Sequence, residues 1–235
     1  MTTQEHLSKQ FDLDLEALRS RVLEMGGLVE SLTLASIECF TTGDRELLER
    51  VCSSDYRVNS YEVSIDNDCS HLIVRRQPAG SDLRMVMAIS KIVTDLERIG
   101  DEAEKVARMS KQIHDRGVLQ VQRFAEIRHM GSTAVRMLRE ALDAFARQDA
   151  AQSAKVVLED VVIDQEFRAI IRQLITFMME DPRTISTALE ILWVAKAIER
   201  VGDHAKNVAE SVIYIVKGTD VRHTRIEDVE REAKT

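Results

Sequence analysis

Apolar residues recur at steps of three and four along nearly the whole chain, and the strict alternation of a strand is missing. The period predicts six long helices, at roughly 7–41, 44–76, 80–114, 118–147, 150–179 and 183–217, and no strands. The interruptions carry stop and cap chemistry: Gly43 before Asp44, Pro78 and Gly80 before Ser81 or Asp82, and Asp181 before Pro182. Both prolines fall in these gaps. "HDRGV" at 114–118 marks the midpoint, and the polar segment after Gly218 is expected to fray.

The two halves of the pattern align with each other. At an offset of 105, Met25 and Gly26 meet Met130 and Gly131, Phe40 meets Phe145, Asp44 meets Asp149 and Asp55 meets Asp160. After a shorter second hairpin the offset becomes 102, and "ERIGDEAEKVA" at 97–107 matches "ERVGDHAKNVA" at 199–209 in seven of eleven positions. A duplicated unit with short loops is an all-α fold of two tandem antiparallel three-helix bundles, 1–115 and 116–218, followed by a polar tail, 219–235.

Antiparallel register then brings acids together. Residues equally far from a turn lie at one height, so Asp55 faces Asp101 and Asn59 faces Glu97, while Asp160 faces Asp203 and Asp164 faces Glu199. The same construction sets Gly26 and Gly27 beside the first group and Gly131 beside the second. Carboxylates crowded out of water must be protonated, paired with Arg or Lys, or neutralised by a cation. The i, i+4 spacing of Glu97/Asp101 and Glu199/Asp203 presents two acids on one helix face. Gly100 and Gly202 cost about 1 kcal/mol each against alanine in a helix, and the expected return is room for an ion and its waters.

Oxygen donors favour hard cations, Mg, Mn or Ca, with Fe also possible and Zn less natural without ligand His or Cys. Glu62 and Asp66 extend the first acidic stripe, but the second unit has Phe167 at the position of Glu62. His204 is a secondary candidate ligand or a surface residue, and Met85, Met87 and Trp193 are expected in the core. Single ExxxD pairs are usually solvated or salt-bridged faces, with Arg98 and Arg200 at hand. Duplication is what favours the metal.

Composition narrows the function classes. Two prolines, 4% aromatics and 31% charged residues suit a helical, soluble chain. A net charge of −8 without a basic stripe argues against nucleic acid and suits cations or basic partner surfaces. Three cysteines, Cys39, Cys52 and Cys69, lack CxxC spacing and read as reduced core thiols, consistent with cytoplasm. The N-terminus does not read as a signal peptide, and no apolar run reaches the ~20 residues of a membrane span. A membrane role is therefore expected only through partners.

As a set, these residues resemble the PhoU family of phosphate-uptake regulators. "ERIGD" at 97–101 and "ERVGD" at 199–203 look like the family's twice-occurring E(D)xxxD motif; "MGGLVE", "DYRVNSYEVSID" and "RRQPAGSDLRMVMAISKIVTDLERIGD" are also similar to bacterial members. The resemblance covers residues 5–218. It implies paired three-helix bundles able to carry multinuclear metal clusters, with Glu97, Asp101, Glu199 and Asp203 as motif acids and Asp55, Asn59, Asp160 and Asp164 across the hairpins. It further implies a cytoplasmic homodimer that is not an enzyme. Such a protein links the ATPase subunit of the phosphate ABC importer to a membrane sensor histidine kinase and keeps the starvation response off when phosphate is plentiful. Two other readings are a helical interaction module without a physiological metal and a carboxylate di-iron enzyme. The latter needs two Glu-x-x-His pairs, and only Glu126 with His129 is found.

Overall fold

The computed structural model describes residues 3–116 and 125–234. Six long helices appear: α1 (Thr3–Thr42), α2 (Arg45–Arg76), α3 (Ser81–Arg116), α4 (Ala125–Arg147), α5 (Ala150–Glu180) and α6 (Ile185–Lys217). A 3₁₀ turn, Pro182–Thr184, opens α6, and no strand occurs among the described residues. The predicted start of the fourth helix at 118 lies outside the described residues.

Local chemistry sets the ends. Gly43, at φ 71°, closes α1, and Asp44 Oδ1 accepts the amides of Glu46 and Leu47 at 2.8 and 3.3 Å. The second unit repeats this with Gln148 at φ 53° and Asp149 accepting from Gln152 N at 2.9 Å. Asp181 caps the 3₁₀ turn, and Gly218, at φ 77°, ends α6.

The segment after Gly218 does not fray as expected. It forms a seventh helix, α7 (Ile226–Lys234), packed on α5. Val221, Val229 and Ala233 are buried, so three apolar side chains hold an otherwise polar stretch to the bundle.

Each unit is an antiparallel helix triplet, and the two triplets share one core. α3 and α6 run antiparallel against each other at the centre, since Asp95 meets His204 and Glu102 meets Arg200. α1 also packs on α4, leaving α2 and α5 on the flanks. Repeat-equivalent residues fill equivalent places: Phe40 and Phe145, Met25 and Met130, and Ile65 and Ile170 are all buried.

The glycines at the α1/α4 crossing are packing glycines. A Cβ on Gly26 would lie 2.5 Å from Leu142 Cδ2, and one on Gly131 would lie 2.8 Å from Ile37 Cδ1. Ile37 and Leu142 are themselves related by the 105-residue offset, so one contact is made twice in opposite senses. The expectation that these glycines flank the acids is therefore corrected: they let two helices of different units approach.

Two expected core residues are also corrected. Met85 is buried, but Met87 and Trp193 are 49% and 62% exposed. The inward stripe of α6 runs through Ile191, Val194, Ala195 and Ile198, which leaves Trp193 on the outer face.

Adjacent glycines of α1 give opposite expectations. Gly26→Ala should lower stability by about 1–3 kcal/mol through overpacking. Gly27, with nothing within 4 Å of its added Cβ, should gain about 0.5–1 kcal/mol on mutation to alanine. Denaturant midpoints of the two variants check this, and two shifts of the same sign would contradict the packing described.

Candidate acidic centres between the helices

In each unit a flanking helix meets a central one at a glycine. The missing Cβ of Gly100 on α3 faces Val58 of α2, with Cγ1 3.2 Å from where a Cβ would stand. Gly202 on α6 faces Ile163 of α5 at 2.6 Å to Cδ1. Val58 and Ile163 are repeat equivalents. The expected room for an ion at these glycines is therefore occupied by a branched aliphatic side chain. What the glycines do is draw the helices together, and with them the acids one step away along the seam.

The first group lies between α2 and α3. Burial raises the Asp55 carboxyl above its usual range, and the charges of Glu104 and Asp101 push it further. Glu97 is raised by burial and then by Asp101 and Glu62; Glu62 is raised by burial and then by Asp66. Asp55, Glu62, Glu97 and Asp101 therefore lie close enough to repel one another, with Asp101 acting on Asp55 across the two helices. Cationic relief is slight: Arg98 lies 3.5 Å from Glu97 and 3.8 Å from Asp101, and is itself 53% exposed. Asn59 donates to Asp55 at 3.0 Å, and its buried Oδ1 is left without a donor.

The second group, between α5 and α6, is built differently. Lys206 Nζ pairs with buried Asp160 at 2.7 Å, and Lys196 Nζ holds both oxygens of Glu199 at 2.5–2.6 Å. Asp164 lies 3.8 Å from Arg168. Asp203 makes no hydrogen bond or ion pair among the described residues. Burial, followed by repulsion from Glu199 and Asp160, raises it from 3.8 to about 6.

The repeat shows where one half differs from the other. Thr94, which favours the charged form of Glu62 in the first unit, corresponds to Lys196, and Glu62 corresponds to Phe167. Lys196 Nζ sits 5.4 Å from the Phe167 ring centroid, so where the first unit has an acid the second has an aromatic face for a cation. Glu104 and Arg108, paired at 2.6 Å, correspond to Lys206 and Glu210, with the signs exchanged. Identity matching along the repeat passes over these lysines; charge differences at Thr94/Lys196 and Glu104/Lys206 were the signal that could have found them.

The remaining candidates stand apart. His204 Nδ1 is 2.8 Å from Asp95 Oδ1, which also accepts from Asn207 at 3.0 Å, so His204 belongs to the α3/α6 contact. Arg200 reaches buried Glu102 at 3.3 Å. His129 lies 3.3 Å from Glu166 across α4 and α5.

Among the described residues no group of three or more His, Cys, Asp or Glu side chains is arranged to hold a metal ion. The fit is therefore one of donor chemistry. The first group offers carboxylates short of positive charge plus an orphaned amide oxygen, which suits a hard cation. The second already carries two lysines, and an ion there would have to displace them.

These features define a class: a duplicated helical bundle with an acidic seam in each repeat. The family model described as "PhoU domain" matches it twice, over residues 22–110 and 127–212. The chain belongs to the PhoU family. It is 46% identical to the phosphate-specific transport system accessory protein PhoU homolog of Pseudomonas aeruginosa, over 97% of this chain and 94% of that one. With the corresponding Escherichia coli protein it shares 41% over 96% and 93%. The crystal structure of PhoU from P. aeruginosa is similar at a TM-score of 0.85, covering 89% of this chain and all of that one. The phosphate transport system regulatory protein PhoU from Streptococcus pneumoniae is similar at 0.81 with 28% identity, covering 90% and 99%.

Asp203 gives a pH prediction. A carboxyl raised in the folded state binds its proton more tightly there than in the unfolded chain, so stability falls as pH rises from 3.8 through about 6. In chelator-treated protein, Asp203→Asn should be more stable than wild type at neutral pH, with the two converging below 3.8. Denaturant midpoints measured across that range check it; a variant no more stable at neutral pH would contradict the burial.

Proposed function

We propose that this chain is a non-enzymatic accessory regulator of phosphate uptake. It couples the ATPase subunit of a phosphate ABC importer to a membrane sensor histidine kinase and represses the starvation response when phosphate is plentiful. The reading is supported by two-repeat membership in the PhoU family across nearly the whole chain. The relatives' names place those proteins in phosphate-specific transport. It is also compatible with the chain's chemistry: an acidic helical bundle of net charge −8 suits an adaptor that meets basic partner surfaces.

In this reading the acids are structural and regulatory. Asp55, Asn59, Glu62, Glu97 and Asp101 hold a hard divalent or trivalent ion between α2 and α3, of the class Mg, Mn, Ca or Fe. Bound there, the ion supplies positive charge that the chain itself withholds. Asp160, Asp164, Glu199 and Asp203 form the weaker centre, because Lys196 and Lys206 compete for the same oxygens. The protein works as a homodimer, and the metal-free helical adaptor is the competing form of the same reading.

Deletion of the encoding gene in its host, followed by an alkaline phosphatase assay in high phosphate, tests the regulator. Constitutive phosphatase is expected. Repression that survives the deletion would overturn the regulatory role.

A further inference from the structure

A basic concavity on this acidic chain lies at the C-terminal end of α2. Between the first half of α1 and the end of α2 a groove of about 270 Å³ is lined by Asp14, Arg21, Asp68, His71, Arg75 and Arg76. Its floor is apolar, formed by Leu18 and Leu72, both buried. We infer that this groove binds a phosphate group, free or carried by a nucleotide.

The two carboxylates act as braces. Asp68 pairs with Arg21, which also donates to Ser64 Oγ at 2.7 Å; Asp14 accepts Arg76 Nε and Nη2 at 3.3 and 3.0 Å. Each acid thus fixes one guanidinium across the groove. Arg75 and His71, one helical turn apart on the exposed side, make no hydrogen bond or ion pair among the described residues. Three arginines against two carboxylates leave an excess positive charge on a protein of net charge −8.

Guanidiniums present N–H pairs that match the oxygens of a tetrahedral oxyanion. A multiply charged phosphate accepts from several donors on two helices at once. A lone carboxylate brings one charge against the repulsion of Asp14 and Asp68, which makes it the poorer ligand.

A helix C-terminus favours basic residues for its own sake, which accounts for Arg75 and Arg76 alone. It does not account for Arg21 on α1 or for the second unit. There the positions of Arg21, Arg75 and Arg76 are held by Glu126, Glu180 and Asp181, and His71 becomes Thr176. Repeat-equivalent positions thus carry the opposite charge, so the repeated bundle does not itself call for these arginines. The inference stands on this groove and does not depend on the metal reading or the regulatory one.

Equilibrium dialysis of the full chain, chelator-treated to exclude phosphate bridged by metal at the acidic seams, tests it with inorganic phosphate and with ATP in separate arms. Wild type should bind at least one of them at millimolar concentration. Arg75→Glu, which breaks no ion pair, and Arg21→Glu with Arg75→Glu should each weaken it by about tenfold or more, with circular dichroism confirming retained helix. Binding in the phosphate arm identifies the free ion, and binding in the ATP arm alone identifies a nucleotide's phosphates. Neither ligand bound at millimolar concentration, or undiminished binding in Arg75→Glu, would overturn the inference.

Discussion

Carboxylates held in a seam between close-packed helices cannot stay charged and alone, and the rest of this structure follows from how that cost is met. The seam exists because Gly100 and Gly202 admit Val58 and Ile163 from the flanking helices. Closing it withdraws Asp55, Glu97 and Asp203 from water, and all three are pushed toward their protonated forms. Packing and charge are therefore in tension at the same residues. In the second repeat Lys196 and Lys206 relieve the tension at Glu199 and Asp160 and leave it at Asp203, whose carboxyl is raised to about 6. In the first it is left largely open: Arg98 is half-exposed, Arg108 is paired with Glu104, and an amide oxygen on Asn59 finds no donor.

The shared core makes this difference consequential. α3 and α6 carry the two ExxxD pairs and are also the helices by which the units pack. Charge gained in the α2/α3 seam bears on a helix that is simultaneously half of the central contact, where buried Glu102 meets Arg200 and Asp95 meets His204. An ion in the first centre would act on the helix that joins both repeats.

Several helix ends were legible because they rest on local chemistry: Asp44 and Asp181 cap where their positions say they should. The meeting of the acids was legible as well, since antiparallel register is arithmetic. The use of the glycines was not, because a missing Cβ looks the same in sequence whether an ion or Ile163 fills the space. Lys196 and Lys206 escaped because matching by identity hides reversals of charge. The final helix escaped because Val221, Val229 and Ala233 are too few to outweigh the polar residues around them, although Val229 and Ala233 stand one turn apart. Trp193 fell outside the core since an apolar residue on a helix predicts burial only when it shares the inward stripe.

The unequal centres are most directly tested by calorimetric titration of Mn²⁺ into chelator-stripped protein, comparing wild type with Glu97→Gln and Glu199→Gln. Glu97→Gln should weaken the tightest site by about tenfold or more, and Glu199→Gln should leave that site unchanged. Equal losses in both variants, or a loss in Glu199→Gln alone, would contradict the account.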